Sequence, residues 1–257
     1  MKVFVIANQK GGIGKTTTAT AIASILNSQK KKTLLIDADP QGNSTDTYRA
    51  EIKDTATLYD VLLDREDPLP IAEAIQHTEA GDIVASDPAL KEADQKLPND
   101  GNEYFLLQDA LEGLTGYDFV VIDTAPADNK LLKNCLIAAN EVIIPVTPDR
   151  YGIQGLAELN RTIVSIQKRN NPKLRIAGLL LVKYHERLLL AKEVKNTLEQ
   201  VAGQMNTILF ETTIRESTNA QKAQAARTTL PKFAPQSTTA VDYENFIYEL
   251  IMRGEGQ

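Results

Sequence analysis

Residues 9–17 read Gln9-Lys10-Gly11-Gly12-Ile13-Gly14-Lys15-Thr16-Thr17. An apolar, β-branched run over residues 2–7 precedes them, and a stretch with helical spacing, Lys15–Ser28, follows. A glycine-rich turn between a strand and a helix lets the backbone curl until several N–H groups face one point. The helix that starts at its end adds a positive pole. Such a loop is an anion cradle, and with lysine and threonine at its end it is a phosphate loop. Lys15 is placed to reach the β- and γ-phosphates, and the Thr16 hydroxyl to ligate Mg²⁺. The usual spacing has a first glycine where this chain has Gln9, and it has no counterpart of Lys10.

This loop fixes where a strand and a helix must meet, and the rest of the chain repeats the alternation. Apolar runs over 2–7, 33–36, 119–122, Glu141–Val146 and 175–182 predict buried parallel strands. Helical patterns over Lys15–Ser28, 104–114, 130–139, 154–169 and 188–201 predict the connections. Residues 82–85 and 207–210 are candidates for further strands. The polar stretch 86–102 reads as a surface excursion, and 230–239 as a loop before a last helix over 241–253. The expected fold class is α/β: a doubly wound, mostly parallel sheet flanked by helices, with residues 1–257 as one P-loop domain.

Two acidic motifs fall at predicted strand ends. Asp37 and Asp39 stand in Asp37-Ala38-Asp39-Pro40-Gln41-Gly42, and Asp123 in Ile122-Asp123-Thr124-Ala125-Pro126. In an open parallel sheet the carboxyl ends of strands and the loop after the first strand converge on one cleft. Carboxylates at buried strand ends need a charged partner, and hydrated Mg²⁺ is one. Capping of the following helices is the competing reading, but it does not require a phosphate loop nearby.

With these residues in place, the chain closely resembles the ParA/MinD group of deviant Walker-type ATPases. Residues 10–17 (KGGIGKTT) resemble its Walker A loop, 37–43 (DADPQGN) its A′ motif and 120–126 (VVIDTAP) its Walker B strand. The likeness extends through 57–62 (TLYDVL), 176–187 (IAGLLLVKYHER) and 213–217 (TIRES), and is strongest to the short ParA/Soj branch of DNA-partitioning ATPases. The resemblance implies ATP and Mg²⁺ as ligands. It implies that Gly11, Gly12, Ile13, Gly14, Lys15, Thr16 and Thr17 hold the nucleotide of their own subunit. Lys10 resembles the signature lysine that reaches the partner's phosphates. Lys10, Lys15 and Asp39 are then the catalytic set, with Asp39 orienting water. Thr16, Asp39 and Asp123 serve the metal. The family's pattern also implies an ATP-dependent homodimer, nonspecific duplex DNA as track, a ParB-like centromere-binding partner and a place in the cytoplasm on the nucleoid. Lys183, Arg187, Arg215 and Lys222 are the candidate DNA contacts. The chain departs from the group at Val182, where a small polar residue is usual, and in the alanine-rich segment 219–229.

Composition narrows the alternatives. The formal net charge is −6, from 28 basic and 34 acidic residues, so DNA binding requires a local basic patch or a dimer. The single cysteine, Cys135, forms no internal disulfide and cannot supply the cysteine pair of an iron–sulfur reductase. Nothing approaches the roughly 20 apolar residues of a membrane span. Membrane positioning in the manner of MinD needs a basic amphipathic tail, and 242–253 is more acidic than basic. A positioning ATPase for a protein cargo on the nucleoid remains the nearest alternative, and a small-molecule ligase a more distant one.

Overall fold

The computed structural model describes residues 1–64, 69–97, 101–185 and 189–255, without the side chains of 150–154, 189–192 and 255. Its centre is strand β1 (Lys2–Ile6), which pairs in parallel with β5 (Phe119–Thr124) on one side and β6 (Glu141–Val146) on the other. Beyond β5 come β2 (Thr33–Ala38), β4 (Gly81–Val84) and β3 (Ile75–Thr78). Beyond β6 come β7 (Arg175–Tyr184) and the two-residue β8 (Ile214–Arg215). Every pairing is parallel except β3 with β4, a hairpin that closes one edge. The chain leaves β1 toward one side and returns to its other side, so a crevice opens beyond the carboxyl ends beside β1.

Alternation along the strands builds two apolar layers. Val3, Val5, Leu34, Ile36, Val120 and Ile122 face one layer. It is completed by α3 (Leu58–Leu62), α5 (Leu106–Glu112), α6 (Lys130–Ala138), α7 (Arg150–Arg169) and α8 (Leu189–Gln204). Phe4, Ile6, Leu35 and Val121 face the opposite layer with α1 (Lys15–Ser28) and α11 (Thr238–Glu255). Strands buried on both faces read as continuous apolar runs, as the sequence pattern requires. The apolar positions of the terminal helix, Tyr243, Phe246, Ile247 and Leu250, are buried in this second layer. No helix among the described residues is long and apolar enough to cross a membrane.

Several expectations need correction. Residues 207–210 contribute one bridge, Leu179 to Leu209, and no strand. The stretch 86–102 is not simply a surface excursion. It holds a 3₁₀ turn (Pro88–Glu92) and helix α4 (Ala93–Lys96), and buries Leu90, Ala93 and Leu97 in the first layer. Its many charges hide an apolar spacing of three to four residues, which is a helical face. The loop expected over 230–239 contains one helical turn, α10 (Leu230–Phe233), with Leu230 buried. Helices α2 (Asn43–Tyr48) and α9 (Thr218–Ala225) were not anticipated. The second follows from a Ser217 cap on Asn219 N–H and from three alanines, the best helix formers.

Candidate functional site

The loop is set by its flanks. Asn8 is buried, donates to the Pro145 carbonyl at 2.8 Å and accepts from Lys10 N–H at 3.0 Å, which ties the loop's start to β6. Gly12 (φ 71°) and Gly14 (φ 89°) occupy the left-handed region that a side chain disfavours. Gly14 is the N-cap of α1, so no side chain caps that helix, and its first turn carries no acid. Its N-terminal pole is left for a ligand.

The two lysines of the loop point to different places. Lys15 is 6% exposed, and its Nζ donates to the Lys10 carbonyl at 3.1 Å. Burial lowers its affinity for the proton, while Asp123 and Asp39 oppose that effect. Lys10 turns outward. Its Nζ donates to both carboxylate oxygens of Asp149 at 2.8 Å and to the Thr147 hydroxyl at 3.2 Å, on the segment after β6. Thr147 and Asp149 carried no signal in the sequence, because the pattern Thr147-Pro148-Asp149 resembles any strand exit.

Three carboxylates gather opposite the loop. Asp37 and Asp123 lie side by side in register on β2 and β5, both fully buried. Asp37 accepts from Thr45 N–H at 2.7 Å and Thr45 Oγ1 at 2.8 Å. Asp123 Oδ2 accepts from Ser44 Oγ at 2.8 Å. Helix α2 is thus fastened to both strand ends by consecutive hydroxyl residues, Ser44 and Thr45, which the sequence reading passed over although they follow the acidic motif directly. Burial raises the pKa of Asp37, and the charge of Asp123 adds to it. Burial also raises that of Asp123, against the hydroxyls of Thr16 and Ser44, with Asp39 adding to the rise and Lys15 opposing it. Asp39 is 7% exposed and accepts from Gln41 N–H at 3.0 Å.

Asp123 Oδ1 is buried and has no hydrogen-bond partner among the described residues. A buried carboxylate oxygen without a donor is unfavourable by several kcal/mol unless a cation or its water shell reaches it. The hydroxyl of Thr16 faces the same carboxylate, and Asp39 adds charge nearby. This donor set of hard oxygens fits hydrated Mg²⁺. A cleft of about 460 Å³ opens here, lined by residues 11–17 with Thr20, Asp39, Gln221, Gln224 and Tyr243 among others. That volume is ordinary for a small-molecule ligand.

Of the candidate DNA residues, Lys183, Arg215 and Lys222 sit on β7, β8 and α9. Arg187 lies outside the described residues. Lys222 is exposed on α9. Arg215 donates through Nε and Nη2 to the carboxylate of Asp242 at 2.9 and 2.6 Å, and its side chain stays 48% exposed. Lys183 donates to the Gly12 carbonyl at 2.7 Å.

Fold and site together define a P-loop nucleotide-binding protein with two lysines on its loop. Residues 1–176 match the family model described as an AAA domain. The chain is 37% identical over 214 residues to the chromosome partitioning protein ParA of Myxococcus xanthus, covering 82% of this chain and 74% of that one. It is 32% identical to the sporulation initiation inhibitor protein Soj of Bacillus subtilis, over 98% of this chain and 99% of that one. Among solved structures, Cyanothece McdA in an ATP complex superposes with a TM-score of 0.85 at 25% identity, over 98% and 96% of the chains. A Mycobacterium smegmatis protein described as cobyrinic acid a,c-diamide synthase, with bound ADP and magnesium, gives 0.85 at 28%, over 100% and 97%. The chain belongs to the ParA family of P-loop ATPases.

Proposed function

We propose that this chain is an ATP hydrolase of one P-loop domain. On binding ATP it dimerises, holds duplex DNA without sequence preference and drives plasmid or chromosome partition, with hydrolysis stimulated by a centromere-binding protein. The observation that carries this reading is the division between the loop's lysines. Lys15 is folded under the loop, while Lys10 is held outside it by Asp149.

In this reading the N–H groups of residues 11–17 and the ammonium of Lys15 hold the phosphates. Thr16, Asp123 and Asp39 would hold Mg²⁺. The ion would supply charge neutralisation on the phosphate oxygens. Asp39 accepts a hydrogen bond from the attacking water and aligns it with the γ-phosphorus, and cleavage yields ADP and phosphate. Two nucleotides that face one another across a dimer repel. Lys10, released from Asp149, offsets that repulsion in the partner's site, most of all when the γ-phosphate is present. Dimerisation then depends on ATP. The McdA complex with ATP and the ADP–magnesium complex of the second neighbour support the choice of ligands.

A net charge of −6 leaves one subunit few phosphate contacts, drawn from Arg187, Arg215 and Lys222. A dimer doubles them, and each neutralised phosphate adds about −0.9 to the slope of log affinity against log salt. Titration of a random-sequence duplex over a salt series tests this. The ATP-trapped Asp39→Ala protein is expected to bind with a steep slope, and the ADP form not to bind. DNA binding that ignores the nucleotide, or none at low salt, contradicts the proposal.

A further inference from the structure

Lys183 was placed among the candidate DNA contacts, but three observations put it elsewhere. It is the extra residue of a β-bulge: Val182 pairs with Ile214 and Tyr184 with Arg215, so nothing stands opposite Lys183. Its φ is 54°, left-handed for a residue with a long side chain. Its Nζ crosses from the end of β7 to the phosphate loop and donates to the Gly12 carbonyl at 2.7 Å. Bulges re-aim side chains near functional sites, and a strained backbone that persists there points to a use.

The loop's peptide planes explain the use. In a trans peptide the Gly12 carbonyl and the Ile13 N–H point in opposite directions. A cation that holds the carbonyl outward therefore turns the Ile13 N–H inward. Hydrogen bonding to the carbonyl also polarises that N–H and makes it a stronger donor. Glycine at position 12 leaves this plane easy to rotate, so an external clamp has something to fix. Lys15 acts on the Lys10 carbonyl from inside the same loop.

We propose that Lys183 is a positioning residue of the nucleotide site, which presets the Gly12–Ile13 peptide so that the Ile13 N–H meets a phosphate oxygen. It acts on diphosphate and triphosphate alike, because it shapes the loop and does not bind the terminal phosphate. The inference rests on residues 10–17 being the nucleotide loop.

The test uses the full chain with Lys183→Gly, Lys183→Met, Lys183→Arg and, as a reference, Lys15→Ala. Affinities for fluorescent ATP and ADP with Mg²⁺, thermal midpoints and the amide shift of Ile13 are measured. Glycine removes the ammonium and also relaxes the positive φ, so Lys183→Gly keeps or raises the midpoint. The glycine and methionine variants are expected to weaken both nucleotides about three- to tenfold, as for loss of one hydrogen bond of ordinary strength. The Ile13 amide signal moves in both, and arginine restores most of the affinity. Unaltered affinities in the glycine and methionine variants, beside a Lys15→Ala protein that loses nucleotide, overturn the role of Lys183 and leave the site standing. Unaltered affinity in Lys15→Ala as well overturns both.

Discussion

Lys10 and Asp149 form an ion pair whose side chains are 31% and 41% exposed. An exposed pair of this kind contributes roughly 0.2–1 kcal/mol. That is small enough to be exchanged for a partner's phosphates. Asp149→Asn removes the competing charge, and the ATP concentration at half-dimerisation is expected to fall, by about fivefold at most. Light scattering over an ATP series measures it, and an unchanged or raised midpoint refutes the restraining role of Asp149. The buried carboxylates give a second prediction. The folded chain raises the pKa of Asp37 to about 7, above its unfolded value, so it binds the proton more tightly than the unfolded chain does. The linked stability is present in full below about pH 4 and is lost as pH rises through about 7. In nucleotide-free protein with a chelator, the thermal midpoint is expected to fall from pH 5.5 to 7.5 and to fall less in Asp37→Asn. A midpoint that rises over this range contradicts the account. At this scale the placement of the lysines, Thr16 and the three aspartates around one crevice was legible, because each stands in a motif next to a strand end. Asp149 and Lys183 were not legible, since their partners lie 139 and 171 residues away and only folding shows the contacts.

Helix α2 is six residues long and has no apolar side chain apart from Tyr48, so propensity does not explain it. Its hydroxyls do. Ser44 holds Asp123, and Thr45 holds Asp37 while accepting from Ser86 N–H at 2.8 Å. Its carboxyl end is clasped as well. Arg49 donates to the carbonyls of Ala226 and Arg227, and Arg227 returns a bond to Asp46. Ser44→Ala would leave both oxygens of Asp123 without a hydroxyl from α2. It is expected to destabilise the nucleotide-free chain by about 1–3 kcal/mol, the usual result of an unsatisfied buried polar group. Urea unfolding measures this, and a change under a few tenths of a kcal/mol would show that Ser44 is not a fastening. The strands and long helices were readable from periodicity. Helix α2 was not, because a helix held by side-chain bonds to other elements leaves no apolar stripe. The buried turn at 86–97 was hidden in the same way by its surrounding charges.

The whole molecule places the phosphate loop and both acidic motifs at one end of one sheet, and strand order does this. β1, β2 and β5 deliver the loop, Asp37 and Asp39, and Asp123, while β6 and β7 deliver Asp149 and Lys183. That convergence was foreseeable from parallel alternation alone. The candidate strand at 82–85 is β4, but its antiparallel partner β3 was not foreseeable, since it is short and half polar. The most direct measurement of the central claim is the molar mass of Asp39→Ala protein under saturating Mg²⁺ with ATP, ADP or no nucleotide. A water-orienting carboxylate acts on the chemical step, so this variant binds ATP and accumulates as the ATP form. Twice the 28.2 kDa chain mass is predicted with ATP, and the chain mass with ADP, without nucleotide, or with ATP when Lys10→Ala is added. A dimer in every state, or an ATP dimer that survives the loss of Lys10, would contradict it.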